Sequence, residues 1–372
     1  MSRLFLNQNK FRILLFCFFW ILPLWGHPQS KFTDDLSVSF NYHYGFILPE
    51  YTNFLYLADA PVRSASFNIS KETTGKNSWE RLYKFPEYGL SVFYSTLGND
   101  EVHGREIALF PYFNLNIISR KRFDIFNETG IGVSYVTRKF DMTDNYLNIA
   151  VGSHLNIHFQ LKFGLNYKMP EKKLQLQGGV AFDHFSNSNT REPNLGLNYA
   201  TVYTGVKYLV GQQTERQMVE DKPHVPGHHW ELIYSAGGKH PRALGSKIYF
   251  TSSATVEYKC EAFPALHFGL GADLFYDTST EAEMLTLEMD HHKKSHDFRS
   301  GLHVSQELVY NRLSLILQEG VYLLLTDKVE KHVMYNRGII RYRVSDHFFV
   351  HLAMKSHLHI LDYPELGLGL RW

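Results

Sequence analysis

Residues 155–167 read LNIHFQLKFGLNY, a strict alternation of apolar and polar positions. The odd positions are all apolar or aromatic, and the even positions are polar or glycine. A helix of this sequence would scatter the polar residues around its circumference, whereas a β-strand collects them on one face. One face then suits lipid and the other suits a wet interior, so the stretch predicts a transmembrane β-strand.

The same alternation recurs along the chain, for example in residues 36–46 and 266–276. The last residues, 366–372, read LGLGLRW and end on the aromatic Trp372, which is typical of a terminal strand of a bacterial outer-membrane barrel. About sixteen candidate strands result, an even number as such barrels require. They span 35–48, 62–70, 87–97, 104–117, 122–137, 152–167, 173–186, 198–210, 230–238, 246–260, 264–276, 297–309, 312–325, 333–344, 347–357 and 364–372.

The predicted fold class is all-β, a transmembrane antiparallel β-barrel of about 14–16 strands. A single large barrel is the preferred arrangement. The polar segment 211–229 divides the strands into 31–210 and 230–372, so two tandem barrels of about eight strands each are the alternative. A soluble β-sandwich is disfavoured because so many long strands carry one aromatic face and one wet face.

The first thirty residues carry Arg3, Lys10 and Arg12 without an acid, followed by an uncharged apolar stretch and then Gly26 and Pro28. This order predicts a secretory signal peptide over residues 1–30, since the apolar stretch is shorter than the ~20 residues of a spanning helix. Cys17 would leave with the signal, so Cys260 alone cannot form an internal disulfide. An exported barrel without a later apolar helix is expected in the bacterial outer membrane.

Aromatic residues make up 15% of the chain although its mean hydropathy is only −0.25. Aromatic side chains at this density suit strands with one lipid face better than a water-soluble domain. Loss of the three basic residues in the signal peptide leaves 35 basic and 37 acidic residues, a formal charge of −2. Nothing in this balance indicates a nucleic acid partner.

Candidate chemistry lies at the end of another alternating stretch, residues 174–186, which read LQLQGGVAFDHFS. Its even positions are apolar or glycine until His184 and Ser186 extend the same face. Side chains two apart on a strand are neighbours, so His184 can accept the Ser186 hydroxyl proton and activate it for acyl transfer. A His-x-Ser at the polar end of a strand also arises by chance, and the pair alone does not decide between these readings.

The surrounding sequence resembles a known family. Residues 183–189, DHFSNSN, and residues 192–198, EPNLGLN, resemble the PagL-type lipid A 3-O-deacylases and their longer relatives called acyloxyacyl hydrolases. The close match covers residues 178–198, with 42–48 also similar, and residues from Trp230 onward have no counterpart in the short members. The resemblance implies an outer-membrane esterase that removes an ester-linked acyl chain from lipid A. It also implies that strands of a PagL-like barrel within 31–210 carry the site.

The resemblance assigns roles to four residues of this chain. Ser186 corresponds to the nucleophile, His184 to the general base and Asn187 to a donor to the oxyanion. The position of the family's acid falls on Asn198, which cannot carry charge but can orient an imidazole. Asp183 and Glu192 are spare carboxylates, but Asp183 points to the opposite face and Glu192 lies in a loop.

The implied partners are lipid A or lipopolysaccharide as substrate and the surrounding outer-membrane lipid. No cofactor and no metal are predicted, because the pairs His228-His229 and His291-His292 fall in predicted loops without strict ligand spacing. The missing carboxylate at Asn198 favours the alternative function, a non-catalytic barrel acting as a pore or scaffold. The sequence leaves open which acyl ester is cleaved, the oligomeric state and whether the lumen conducts.

Overall fold

The structure is a computed structural model that describes residues 33–49, 56–170, 173–187, 190–219, 223–240, 247–289, 291–324, 333–357 and 360–372. The predicted signal peptide, residues 1–30, lies outside the described residues. Among the described residues, no helix is both long enough and apolar enough to cross a membrane.

Eight antiparallel strands form a first closed barrel in which each strand pairs with the next along the chain. The last strand, β8, returns to pair with β1, from Ser37 opposite Leu209 to Leu48 opposite Asn198. The strands are β1 Leu36–Leu48, β2 Val62–Glu72, β3 Glu87–Thr96, β4 Arg105–Ser119, β5 Phe123–Val136, β6 Leu155–Lys168, β7 Leu174–Ser186 and β8 Leu197–Leu209.

A second closed barrel follows, and its last strand, β16, pairs with its first, β9. The strands are β9 Gly227–Lys239, β10 Tyr249–Glu261, β11 Leu266–Asp277, β12 Phe298–Tyr310, β13 Leu313–Leu324, β14 Met334–Arg343, β15 Phe348–His357 and β16 Ile360–Arg371. Short helices occur in two connections, α1 Ser78–Leu82 and α2 Thr280–Thr286, and a 3-10 turn covers Lys294–Asp297.

The sequence-based preference for one large barrel is wrong, and the alternative of two tandem eight-stranded barrels is confirmed. The reason is the pairing of β8 with β1, which occupies the edge that β9 would need to continue the same sheet. His228 and His229 are also corrected, since they lie within β9 and not in a loop. The connection between the barrels is correspondingly shorter at its C-terminal end than the predicted segment 211–229.

The connections at the two ends of the barrels differ in length. Most of those at one end are short, such as 120–122, 262–265 and 311–312, and 73–86 is a longer exception that contains α1. Those at the other end include the long connections 137–154 and 278–297. Outer-membrane barrels keep short turns on the periplasmic side and longer loops outside. The chain therefore enters the first barrel from the periplasmic end, and β7 ends at the outer end.

Side-chain burial follows the alternation in the sequence. On β6, Asn156, His158 and Lys162 point into the lumen and are buried, whereas Phe163 and Leu165 point outward and are exposed. Outward apolar residues match the hydrocarbon of the membrane, so the pattern that predicted strands also identifies their lipid face.

Hydrogen-bonded polar groups fill the lumen of the first barrel. His158 Nδ1 lies 2.8 Å from Glu106 Oε1, and the Tyr199 hydroxyl donates to Glu106 Oε2 at 2.8 Å. Lys162 Nζ donates to Glu128 Oε1 at 2.7 Å. Each of these charges therefore has an oppositely charged or hydrogen-bonding partner, as burial away from water requires.

The second lumen contains ion pairs that reach across the barrel. Asp273 accepts hydrogen bonds from Arg337, Tyr335 and His303, the last at 2.6 Å. Near the outer end, Lys239 lies 3.0 Å from Asp277 and 3.1 Å from Asp362. These cross-links span a lumen that, in an eight-stranded barrel, is just wide enough for side chains to fill.

The two barrels contact each other at their periplasmic ends. The hydroxyl of Tyr83, which follows α1, donates to the carbonyl of Val309 at 3.0 Å. The Tyr83 ring stacks on Tyr310 with centroids 4.5 Å apart, and Phe113 meets Tyr310 edge-on at 4.7 Å. Aromatic contacts and a hydrogen bond therefore join the first barrel to the end of β12 in the second.

Candidate active site

The last residues of β7 place two polar side chains on the outside of the first barrel. His184 and Ser186 alternate with Asp183 and Phe185, which point inward and are almost fully buried. His184 is half-buried, and Ser186 is only 9% exposed. Asp183 accepts a hydrogen bond from Gln160 at 2.6 Å within the lumen, so its carboxylate does not take part in the outward site. The alternation that predicted the outward position of His184 and Ser186 agrees with the structure.

Register brings a third polar side chain to the same face. His184 lies directly opposite Asn198 on β8 and opposite Phe159 on β6. His184 Nδ1 is 2.6 Å from Asn198 Oδ1, and His184 Nε2 is 3.2 Å from Ser186 Oγ. The imidazole therefore connects the hydroxyl to the amide, and the structure brings together three of the four residues singled out in the sequence.

This geometry determines which ring nitrogen carries the proton. An amide oxygen only accepts hydrogen bonds, so the Nδ1–H of His184 must donate to Asn198 Oδ1. The lone pair of the neutral ring then lies on Nε2, facing the hydroxyl of Ser186. A base in this form is ready to take the serine proton.

Asn187, the fourth residue, is buried at the start of the loop 187–196. Its backbone N–H donates to Asn194 Oδ1 at 2.8 Å, and its Nδ2 donates to the Arg191 carbonyl at 2.6 Å. The Thr190 hydroxyl donates to the Asn187 carbonyl at 2.8 Å. A primary amide has two N–H groups, so the bond to Arg191 uses one of the two.

Gly196 packs against the imidazole of His184 and was not singled out from the sequence. Its φ is +72°, and a Cβ at this position would lie 2.7 Å from His184 Cε1. Its N–H donates to the Ala150 carbonyl at 2.9 Å, which ties the site to the 137–154 loop. In the sequence, the only indication of this contact is that a glycine stands two residues before Asn198. The backbone there lies too close to the His184 ring to carry a side chain.

Below these polar groups the wall is apolar. One cross-strand row runs from Leu161 through Phe182 and Ala200 to Phe46. Val180 and Val202 continue it toward the membrane centre and are exposed. The site therefore lies where polar loops meet a surface that acyl chains can cover.

Glu192, the spare carboxylate of the loop, occupies a different place. Its backbone approaches Gly152 so closely that a Cβ on Gly152 would lie 2.4 Å from the Glu192 carbonyl oxygen.

Among the residues that the structure describes, no group of three or more His, Cys, Asp or Glu side chains is arranged to hold a metal ion.

Two family models match the chain, one for each barrel. Residues 64–207 match the model described as lipid A 3-O-deacylase (PagL), and residues 228–372 match the model described as acyloxyacyl hydrolase, C-terminal domain. The two matches together span more than three quarters of the chain. The chain belongs to the PagL family.

PagL-family membership gives the location and the general activity. The protein is an outer-membrane protein of the lipid A deacylase class, whose members hydrolyse an acyl ester of lipid A. The first barrel is the PagL domain, and it contains all four candidate residues. The second barrel is the C-terminal domain of the acyloxyacyl hydrolases.

Several solved structures are similar to parts of this PagL-family chain. Neisserial surface protein A is 9% identical, with 47% of this chain and 97% of that chain covered and a TM-score of 0.32. The outer membrane enzyme PagL is 15% identical, with 45% and 97% covered and a TM-score of 0.32. The Acinetobacter baumannii outer membrane protein Omp33 is 9% identical, with 91% and 97% covered and a TM-score of 0.18. No match was found among curated proteins.

Proposed function

We propose that this protein removes an ester-linked acyl chain from lipid A by Ser-His catalysis. Ser186 is the nucleophile, His184 is the general base and Asn198 is the positioning residue that orients the imidazole. The observation that carries this proposal is the outward hydrogen-bonded chain from Ser186 Oγ through His184 to Asn198 Oδ1, with distances of 3.2 and 2.6 Å.

The reaction proceeds in two steps. Ser186 Oγ attacks the ester carbonyl while His184 Nε2 takes its proton, and the imidazolium then gives that proton to the departing alcohol oxygen of lipid A. This step leaves an acyl-enzyme and a free hydroxyl on lipid A. Water next attacks the acyl-enzyme, with His184 again as base, and releases the fatty acid and the Ser186 hydroxyl. Asn198 Oδ1 stabilises the protonated ring in both steps.

The oxyanion needs donors that are already in place. We assign this role to the second Nδ2–H of Asn187, because the first is committed to the Arg191 carbonyl and fixes the orientation of the amide. A donor that is held before the reaction stabilises the developing charge without reorganisation.

The outward position of the site favours an enzyme over a pore. A histidine and a serine on the lipid face of a barrel are costly, and a pore would gain nothing from them. The charged side chains named above in the two lumens are paired with one another across the interior. Lipid A would reach Ser186 laterally, from within the outer leaflet, while its acyl chains lie along the apolar wall below.

Ser186→Ala should abolish the release of fatty acid from lipid A, measured by mass spectrometry of lipid A from cells with and without each variant. A nucleophile and its base fail as a unit, so His184→Asn should be equally inactive. The matched control is Thr204→Val, which removes a hydroxyl from the same outward face of β8 without touching the site.

Both inactive variants should retain the faster gel mobility of an unheated barrel, because neither change removes much buried surface. Full deacylase activity in folded Ser186→Ala would exclude the serine mechanism. An equal loss of activity in Ser186→Ala and Thr204→Val would mean that outward hydroxyl groups support the structure of the barrel wall. Ser186 would then have no chemical role.

A further inference from the structure

The two barrels leave a cleft between their outer ends. Its volume is about 800 Å³, within the range of about 300–1,000 Å³ that is usual for ligand pockets. Three groups of described residues line it: 139–142 with Gly152 from the 137–154 loop, 190–192 after β7, and three residues next to the ends of β9 and β10. The second barrel contributes His240, Lys247 and Ile248 to its wall.

The cleft shares a wall with the active site. The cleft is lined by Thr190, Arg191 and Glu192. Of these, Thr190 and Arg191 form hydrogen bonds with Asn187. The Arg191 carbonyl accepts from Asn187 Nδ2 at 2.6 Å, and the Thr190 hydroxyl donates to the Asn187 carbonyl at 2.8 Å. A molecule in the cleft would therefore rest on the loop that begins next to Ser186.

Three cations line the cleft, one from each group: Lys139, Arg191 and Lys247. Of the two acids in the wall, Asp141 is engaged within its own loop. Its Oδ1 accepts the Thr143 hydroxyl at 2.7 Å and the Thr143 N–H at 2.9 Å. The other acid is Glu192. The three cations outnumber the two acids by one, and lysine and arginine side chains are common partners of phosphate.

Apolar side chains accompany these charges. Met142 is 75% exposed and Ile248 is 62% exposed, and Phe140 lies with them in the wall. Large apolar groups at a polar rim indicate a binding surface for an amphipathic molecule. A phosphorylated sugar with acyl chains combines both features of this wall.

We propose that the cleft binds a phosphate of the lipid A headgroup while the acyl ester lies at Ser186. Lys247 is one of the binding cations, so the second barrel completes the substrate site of the first. This inference rests on the proposed function, since it assigns the substrate of the same active site. It gives the C-terminal barrel a role in recognition that the first barrel alone cannot supply.

The test is a charge reversal, Lys247→Glu, in the full-length protein. Binding is measured without turnover in a Ser186→Ala background, with lipid A and with dephosphorylated lipid A in detergent micelles. The Kd for lipid A should rise about tenfold because attraction becomes repulsion, and the Kd for dephosphorylated lipid A should not change. In the chain with Ser186 intact, KM for lipid A should rise while kcat stays the same.

Lys294→Glu is the matched control, since Lys294 is an exposed cation at the outer end of the same barrel but outside the cleft. It should leave both Kd values unchanged. Lys139→Glu repeats the test from the first barrel and should show the same preference for phosphorylated lipid.

Equal Kd values for Lys247→Glu and the parent protein would overturn the proposal, as would equal losses for both lipids. A change in oligomeric state without a change in lipid binding would assign the cleft to self-association instead. Failure of the proposed function can be distinguished from failure of this proposal. If the proposed function is wrong, the protein with Ser186 intact will not release fatty acid, and the comparison of Kd values will still decide the role of the cleft.

Discussion

Asn198→Asp exchanges the amide beside His184 for a carboxylate of nearly the same shape. In the present structure Asn198 Oδ1 lies 2.6 Å from His184 Nδ1, so the new charge would face the imidazolium that forms during catalysis. Two unit charges about 4 Å apart attract by about 4 kcal/mol at an effective dielectric constant of about 20. Both side chains are half-buried, so solvent screening reduces the expected stabilisation of the imidazolium to about 1 kcal/mol. The kcat of Asn198→Asp should therefore rise about fivefold.

Asn198→Ala should act in the opposite direction and more strongly. Without Oδ1 the imidazole can rotate and carry its proton on Nε2, where it no longer serves as a base. Loss of the orienting group should lower kcat about 10²- to 10⁴-fold. Asn127→Ala is the control, since Asn127 is an outward amide on β5 that donates to the Lys162 carbonyl, far from Ser186.

The assay is steady-state release of fatty acid from lipid A, with the gel-mobility test to show that each variant is folded. Unchanged kcat in Asn198→Ala would refute the orienting role, and Glu192 would become the next residue to test. A fall in kcat in Asn198→Asp as large as that in Asn198→Ala would show that the amide itself, and not an acceptor at this position, is required.

Two further predictions follow from close packing. Gly196→Ala should lower kcat at least tenfold in a folded protein, because its Cβ would lie 2.7 Å from His184 Cε1 at a φ of +72°. Gly178→Ala is its control, with its nearest contact at 3.5 Å, and equal activity of the two variants would contradict this reading. In planar bilayers the purified protein should show little ion conductance, since paired charges span both lumens; steady porin-like currents would contradict that packing.

Local patterns in the sequence were sufficient to predict all sixteen strands to within a few residues. Period-two alternation is a property of each strand alone, so it can be read without knowing the neighbours. The closure of the strands into one or two barrels cannot be predicted in this way. Whether β8 pairs with β1 or with β9 depends on contacts between residues as distant as Ser37 and Leu209, and alternation is identical in either case. For that reason the sequence favoured one barrel where the chain forms two.

The arrangement of the candidate site residues was predictable where it depends on strand periodicity and on motif resemblance. His184 and Ser186 share a face by alternation, and the resemblance to PagL-type sequences pointed to Asn198, which the register places opposite His184. The contact of Gly196 with the imidazole and the tie to Ala150 depend on how two loops fold over each other. The cleft containing Lys247 depends on the placement of the second barrel, and no local pattern reports it.

The ion pairs within the second barrel join strands that are not neighbours in the sheet. Asp273 on β11 meets Arg337 on β14, and Glu231 on β9 meets Arg341 on β14. In a sheet that has not yet closed into a barrel, these charges would lie in lipid, too far from their partners to form ion pairs. The free-energy cost of such unpaired charges in lipid is high. We thus expect partly assembled forms to be disfavoured in the bilayer, and this half to insert as one unit. We therefore expect the charges of this half to stay out of lipid until β16 pairs with β9 and closes the barrel.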